Sequence, residues 1–281
     1  MLSKKLISEV WKEVRIFPPH AYKVMRDRWK QKVPSHQKYS YGKHRKQYLC
    51  WFEPENKPNN QIILFFHGGA WTFGTPELLS SRASLFIEKG YTVVMPSHRK
   101  LPLHNFSHIQ EDLQLILEKV GLIQQEKQID NHKIIFGGMS SGANLAALCL
   151  FDQHLITLSN LSYANFIGAF LCAAPVNLAG MTDSFLLTNY AGKKNTASFQ
   201  NASPINHLSD TFNKPLFIVH GTNDGLVKYE STLQFVEKLK KINTRQVDFY
   251  AIQNGSHLDA VSWAYENNLV RQKIFDWLEK L

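Results

Sequence analysis

The sequence predicts an α/β domain built on a mostly parallel sheet with helices on both faces. Three observations carry this reading. From residue 61 onward, short apolar runs alternate with helix-like stretches. The runs are rich in Ile, Val and Phe, as strands buried on both faces are. Finally, 44% of the 281 residues are apolar against 20% charged, enough for a large core and incompatible with disorder. At roughly 150 residues per domain the length suggests two, but one α/β domain often reaches it, and no internal repeat or second core is evident.

Taken in order, the strands are Gln61–Phe66, Tyr91–Met95, Lys133–Phe136, Phe166–Cys172, Leu216–His220 and Val247–Ile252. Helical patterns lie between them at Leu78–Glu88, Phe106–Val120, Ser141–Phe151 and Glu230–Lys241, with a terminal one near Ser262–Leu281. Such alternation gives a parallel sheet whose loops at the carboxyl ends of the strands gather the reactive groups. Two segments fall outside it: residues 1–46, and residues 177–201, which are polar and poorly periodic.

The formal charge of +9 is unevenly placed. Residues 1–46 hold 13 Lys and Arg against Glu9, Glu13 and Asp27, a balance of +10, while the other 19 basic and 20 acidic groups sum to −1. The domains are therefore drawn as a basic N-terminal arm over 1–46 and an α/β body over 47–281. In the arm, Leu2, Leu6, Val10, Val14 and Phe17, with Ile7 and Trp11, share a helical face opposite Lys4, Lys5, Lys12 and Arg15. No nucleic-acid module accompanies the charge, so nucleic acid is not an expected partner. No run reaches the roughly 18 apolar residues of a spanning helix, and the start has no signal-peptide pattern. Cys50, Cys149 and Cys172 form no CxxC pair and are odd in number, which argues against a disulfide framework or a metal site and for a reduced, cytoplasmic setting.

The strongest chemical signal is Gly138-Met139-Ser140-Ser141-Gly142, a G-x-S-x-G between a strand and the apolar helix that starts at Ser141. A sharp strand-to-helix turn lifts the central Ser140 Oγ to the sheet edge and needs small neighbours. The second signal, His67-Gly68-Gly69-Ala70-Trp71, follows strand Gln61–Phe66 directly. Its glycines allow backbone N–H groups to face the charge that grows on a carbonyl oxygen during acyl transfer. A serine nucleophile needs a histidine base, and that imidazole a carboxylate. Asp224 lies on the loop after strand Leu216–His220, and His257 is the sole histidine beyond it, just past strand Val247–Ile252. Asp248 lies within a strand and Asp210 before one, so both are badly placed rivals.

These stretches resemble the α/β-hydrolase fold, in particular the hormone-sensitive-lipase-like carboxylesterases. The likeness covers about residues 60 to 270 and rests on HGGAW, PSHRKLP, GMSSGAN, HGTND and GSH. It implies a catalytic triad of Ser140, Asp224 and His257. It also implies an oxyanion hole from the N–H groups of Gly68, Gly69 or Ala70 with that of Ser141, and a structural Arg99–Asp112 pair. Trp71 and Met139 are the expected substrate contacts. Ala70 replaces the family's third glycine, Met139 a frequent Asp, and His98 a Tyr. The arm then becomes a helical cap over the site, residues 177–201 a further cap segment, with contact between residues 1–30 and an anionic membrane as the other reading of the arm. The implied activity is serine hydrolysis of carboxylic esters with short or medium acyl chains, without metal or cofactor, on a small-molecule ester. HGGAW also resembles the HGGxW of kynurenine formamidases, which leaves amide hydrolysis open, and the fold also serves as a non-catalytic ligand receptor.

Overall fold

In the computed structural model, which describes residues 33–159, 161–242 and 245–281, the apolar runs assemble into one eight-stranded sheet. The strands are β1 (Gln37–Ser40), β2 (Tyr48–Phe52), β3 (Gln61–Phe66), β4 (Thr92–Pro96), β5 (Lys133–Met139), β6 (Phe166–Cys172), β7 (Leu216–Gly221) and β8 (Val247–Ile252). Their order is β1-β2-β4-β3-β5-β6-β7-β8. All pairs from β4 to β8 are parallel, while β1–β2 and β2–β4 are antiparallel.

The six predicted strands form at or within a few residues of their expected bounds. The antiparallel pair at one edge is the addition. β2 is fully buried and apolar, yet it precedes the strand–helix alternation, and β1 is a short, mostly exposed edge strand whose Gln37 and Lys38 give no buried-strand signal. The sheet thus begins before residue 46, where the charge partition had drawn its boundary. The apolar face of the arm lies in residues 1–32, outside the described residues.

Period-two alternation decides which core each strand residue joins. On β3, Ile62, Leu64 and Phe66 face one core, with Phe136, Phe106 and Ile116. Ile63 and Phe65 face the other, with Phe170, Trp263, Ile274 and Trp277. The first layer includes helices α1 (Phe106–Glu126) and α2 (Ser141–Phe151). All of α2 is buried, as the unbroken apolar run ALCLF demands. The helix predicted over Leu78–Glu88 is broken instead, into Pro76–Leu79, a 3₁₀ turn and Ala83–Ile87. Residues 177–201 carry α3 (Phe185–Ala191), and α4 (Tyr229–Ile242) and α5 (Leu269–Leu278) complete the layers. No helix among the described residues is long and apolar enough to cross a membrane.

The order reverses between β3 and β5. These neighbours pair in register, Phe66 with Gly138, so their loops leave the same sheet edge side by side. Such a reversal opens a crevice at the carboxyl ends.

Candidate active site

The turn from β5 into α2 is built by close approach. Ser140 sits at φ 52°, ψ −127°, a strained backbone for a residue with a side chain. A Cβ on Gly142 would lie 2.2 Å from the Phe66 carbonyl oxygen, and one on Gly138 2.6 Å from Cα of Ala143. Only glycine fits at either position. The Ser140 N–H donates to the Cys172 carbonyl at 2.8 Å, tying the turn to β6. Ser141 opens α2, so its N–H has no intrahelical acceptor.

Ser140, His257 and Asp224, 117 and 33 residues apart in sequence, meet at this edge. His257 Nε2 is 2.9 Å from Ser140 Oγ, and its Nδ1 is 2.8 Å from Asp224 Oδ2. His257 and Asp224 are buried, whereas Ser140 is partly exposed. Asp224 Oδ1 accepts the N–H groups of Leu226 and Val227 at 2.9 and 2.8 Å. Burial alone would raise the Asp224 pKa. The charge His257 can carry, with bonds from His220 and His257, outweighs it and holds the carboxyl well below the usual range.

Gly68 packs against this turn: a Cβ there would lie 3.4 Å from Ser140 Cβ. Gly69 then adopts φ 136°, and Ala70 and Trp71 follow at 52° and 56°. The N–H groups of Thr72 and Phe73 both donate to the Gly69 carbonyl at 3.0 Å. The N–H groups of Gly69 and Ala70 have no acceptor among the described residues.

The two side chains expected to touch substrate are both turned to packing. The Trp71 indole, 4% exposed, stacks on Tyr190 of α3 with centroids 3.9 Å apart and planes 12° apart. Met139 is buried in the face that holds Phe65, Cys172 and Trp263. The Tyr190 hydroxyl donates to Asn144 Oδ1 at 2.7 Å, and Asn144 Nδ2 donates to the carbonyls of Pro175 and Ala202. Residues 177–201 are thereby fastened to both the glycine loop and α2. Arg99 and Asp112 pair as expected, Nε to Oδ1 at 2.9 Å and the Arg99 N–H to Oδ2 at 2.7 Å, with Gln47 donating to the same carboxylate.

Two groups escape sequence reasoning. His220, fully buried at the end of β7, places Nε2 3.1 Å from Asp224 Oδ2. The i, i+4 spacing in HGTND is the only trace of it. The other is a cluster of His67, His98 and Lys100 under the glycine loop, joined across 33 residues that no local pattern links.

The parallel sheet, the glycine-flanked strand–helix turn and the loops at its carboxyl edge define an α/β-hydrolase. Within that fold the chain belongs to the BD-FAE family, whose model matches residues 50–239. It is 22% identical over 243 residues to esterase LipQ of Mycobacterium tuberculosis, covering 81% of this chain and 58% of that one. For esterase LipC of the same organism the identity is 22% over 212 residues, covering 70% and 52%. The chain thus spans little more than half the length of these curated relatives. The crystal structure of esterase B from Lactobacillus rhamnosis superposes with a TM-score of 0.73 at 16% identity, covering 99% of this chain and 95% of that one.

Proposed function

We propose that this chain hydrolyses carboxylic esters of short or medium acyl length, with Ser140 as nucleophile, His257 as base and acid, and Asp224 as the orienting carboxylate. One observation carries the reading: a single imidazole, His257, lies within hydrogen-bond reach of Ser140 Oγ at 2.9 Å and Asp224 Oδ2 at 2.8 Å. A carboxylate only accepts, so His257 Nδ1 bears the proton and Nε2 offers its lone pair to the serine. Ser140 attacks the carbonyl carbon as its proton passes to Nε2. Collapse of the tetrahedral adduct sends that proton to the departing alkoxide and leaves an acyl-enzyme. Water then repeats the sequence and frees the acid.

The N–H of Ser141 and those of the Gly68–Ala70 loop, Gly69 foremost, are assigned to the oxyanion. Each such donor contributes about 3 to 4 kcal/mol in favourable cases. The esterase relatives support the chemistry. Trp71 is retained as a wall of the acyl pocket that acts through Tyr190, and Met139 as a residue beneath it. Residues 177–201 and the basic arm are read as cover over Ser140. The three cysteines are free and buried, which supports a reducing, cytoplasmic setting.

The test is turnover of p-nitrophenyl esters from acetate to laurate beside N-formylkynurenine. Ester turnover that falls to the buffer rate in Ser140→Ala is expected, with activity highest on the short and medium chains. A higher rate on the formamide would make the protein an arylformamidase. A wild-type chain that a fluorophosphonate probe leaves unlabelled would instead be a ligand-binding member of the fold.

A further inference from the structure

Beneath the glycine loop, two histidines present the same kind of nitrogen to one lysine. His67 Nδ1 lies 2.7 Å from the Gly68 carbonyl, and His98 Nδ1 lies 2.6 Å from the Arg99 carbonyl. A carbonyl oxygen only accepts, so both Nδ1 atoms carry the proton and both rings leave Nε2 as an acceptor. Lys100 Nζ sits 3.3 Å from His67 Nε2 and 2.9 Å from His98 Nε2. The rings are stacked with centroids 5.8 Å apart, and both histidines are 3% exposed. An ammonium has three N–H groups and a neutral amine two, so Lys100 supplies a proton to each ring in either charge state. Burial and the neighbouring Lys100 hold both imidazoles well below their ordinary pKa, His67 at about 3, so both are neutral at physiological pH.

The consequence reaches the site through one peptide. The Gly68–Gly69 bond is trans, so fixing the Gly68 carbonyl on the His67 side directs the Gly69 N–H to the opposite side. Gly68 is the residue packed against Ser140 Cβ. A ring flip or tautomer change at His67 would free that carbonyl. We propose that Lys100 is a positioning residue for the hydrolysis: by donating to His67 Nε2 and His98 Nε2 it selects the His67 tautomer that pins the Gly68 carbonyl and thereby aims the Gly69 N–H at the oxyanion. The inference rests on the ester-hydrolase reading above. The same linkage is reinforced by Leu101, next to Lys100, whose N–H donates to the Trp71 carbonyl at 3.1 Å.

The test uses the full chain and p-nitrophenyl butyrate. Lys100→Met is expected to lower kcat about tenfold with KM within twofold, because the donor it positions acts on the transition state. In a His67→Ala background the same substitution should change kcat less than twofold, since the group it acts through is gone. Unchanged kcat in Lys100→Met, or an equal tenfold loss in both backgrounds, overturns the proposal. Lys100→Gln, which keeps a donor without the charge, should recover much of the rate, and a rate equal to that of Lys100→Met counts against tautomer selection. Long-range ¹H–¹⁵N spectra separate this proposal from the hydrolase reading. They should show His67 protonated on Nδ1 in the wild type and altered in Lys100→Met, whether or not any ester is turned over. His67 protonated on Nε2 in the wild type refutes the proposal directly.

Discussion

His220 and His257 bond the same oxygen of Asp224, at 3.1 and 2.8 Å. His220 Nε2 also lies 2.9 Å from the Val227 carbonyl, and its Nδ1 lies 3.1 Å from Thr232 Oγ1. Both neighbours of Nε2 are acceptors, so that nitrogen bears a proton and divides it between them. The second histidine therefore braces the carboxylate from the end of β7.

Removing the brace is expected to slow the reaction while leaving substrate binding intact. A hydrogen bond to a charged group contributes about 1.5–3 kcal/mol, of which only part differs between ground and transition states. His220→Leu should thus lower kcat about tenfold with KM within twofold. Asp224→Asn should cost far more, about 10⁴-fold, because an amide permits the wrong His257 tautomer. Steady-state kinetics on p-nitrophenyl butyrate check both, and a His220→Leu variant at wild-type rate would show that the main-chain donors Leu226 and Val227 suffice.

The elbow should tolerate no added methyl group. A Cβ on Gly142 meets the carbonyl oxygens of Phe66 and His67 at 2.2 and 2.4 Å, and main-chain atoms cannot yield cheaply. Overpacking of this kind costs about 1–3 kcal/mol or more. Gly142→Ala is expected to lower the unfolding free energy by at least that much and to abolish ester turnover. Denaturant titration and the butyrate assay together check it; a variant that keeps both stability and rate would show that the turn can shift.

Much of this is legible in the sequence, and the reasons are local. Strands β3 and β6 are readable to the residue because strands buried in a parallel sheet are near-continuous apolar runs, while the half-buried edge strand β8 is readable from its aromatic and β-branched content despite Asp248. Ser140 sits one residue past β5, Asp224 three past β7 and His257 five past β8, so chain order and loop position single them out. β1 escaped because an exposed edge strand has no apolar signature. HGGAW points Trp71 at the substrate, whereas its ring stacks on Tyr190, 119 residues away, a contact no sequence pattern encodes. Lys100 and His220 escaped for the same reason: their role lies in what they touch across the sheet edge.

Ala70 holds a conformation that suits glycine better. At φ 52° its Cβ crowds the following carbonyl, a cost of roughly 1–2 kcal/mol for an L-residue. Part of that is returned because alanine restricts the unfolded chain more than glycine does. Ala70→Gly is therefore expected to raise the unfolding free energy by about 0.5–1 kcal/mol. Thermal and denaturant unfolding measure this, and a destabilised variant would mean that the Ala70 methyl makes contacts worth more than the strain.

The Tyr190 hydroxyl and Asn144 Oδ1 are both fully buried and pair at 2.7 Å. Tyr190→Phe leaves the ring stacked on Trp71 but strips the amide oxygen of its donor. An unsatisfied buried acceptor costs about 1–3 kcal/mol, so stability should fall by that amount. Tyr190→Ala, which also removes the ring, should cost about 3–5 kcal/mol and slow turnover by loosening the glycine loop. Equal stability of Tyr190→Phe and wild type would place a compensating partner at Asn144.

Stability should also rise with pH on account of Lys100. Burial first, and then Lys46, draw its ammonium down from near 10.5 to about 7, while Asp112 pulls the other way. His67 and His98 face the same nitrogen and are neutral throughout this range. Between pH 7 and 10 the unfolded chain therefore binds more proton at this residue than the folded one, which makes the slope of unfolding free energy against pH positive. The contribution is fully present above about 10.5 and is lost as the pH falls through about 7. A shift of this size corresponds to at most about 5 kcal/mol, less for a group that is not fully enclosed. Because His67 and His98 would have to charge only below about 6.5, their own acid destabilisation falls in a separate window. Urea unfolding of wild type and Lys100→Met at pH 7, 8.5 and 10 isolates the lysine. The wild type should gain about 2–4 kcal/mol more across that span than the variant, and parallel pH profiles for the two would mean that Lys100 titrates in the folded protein as it does in water.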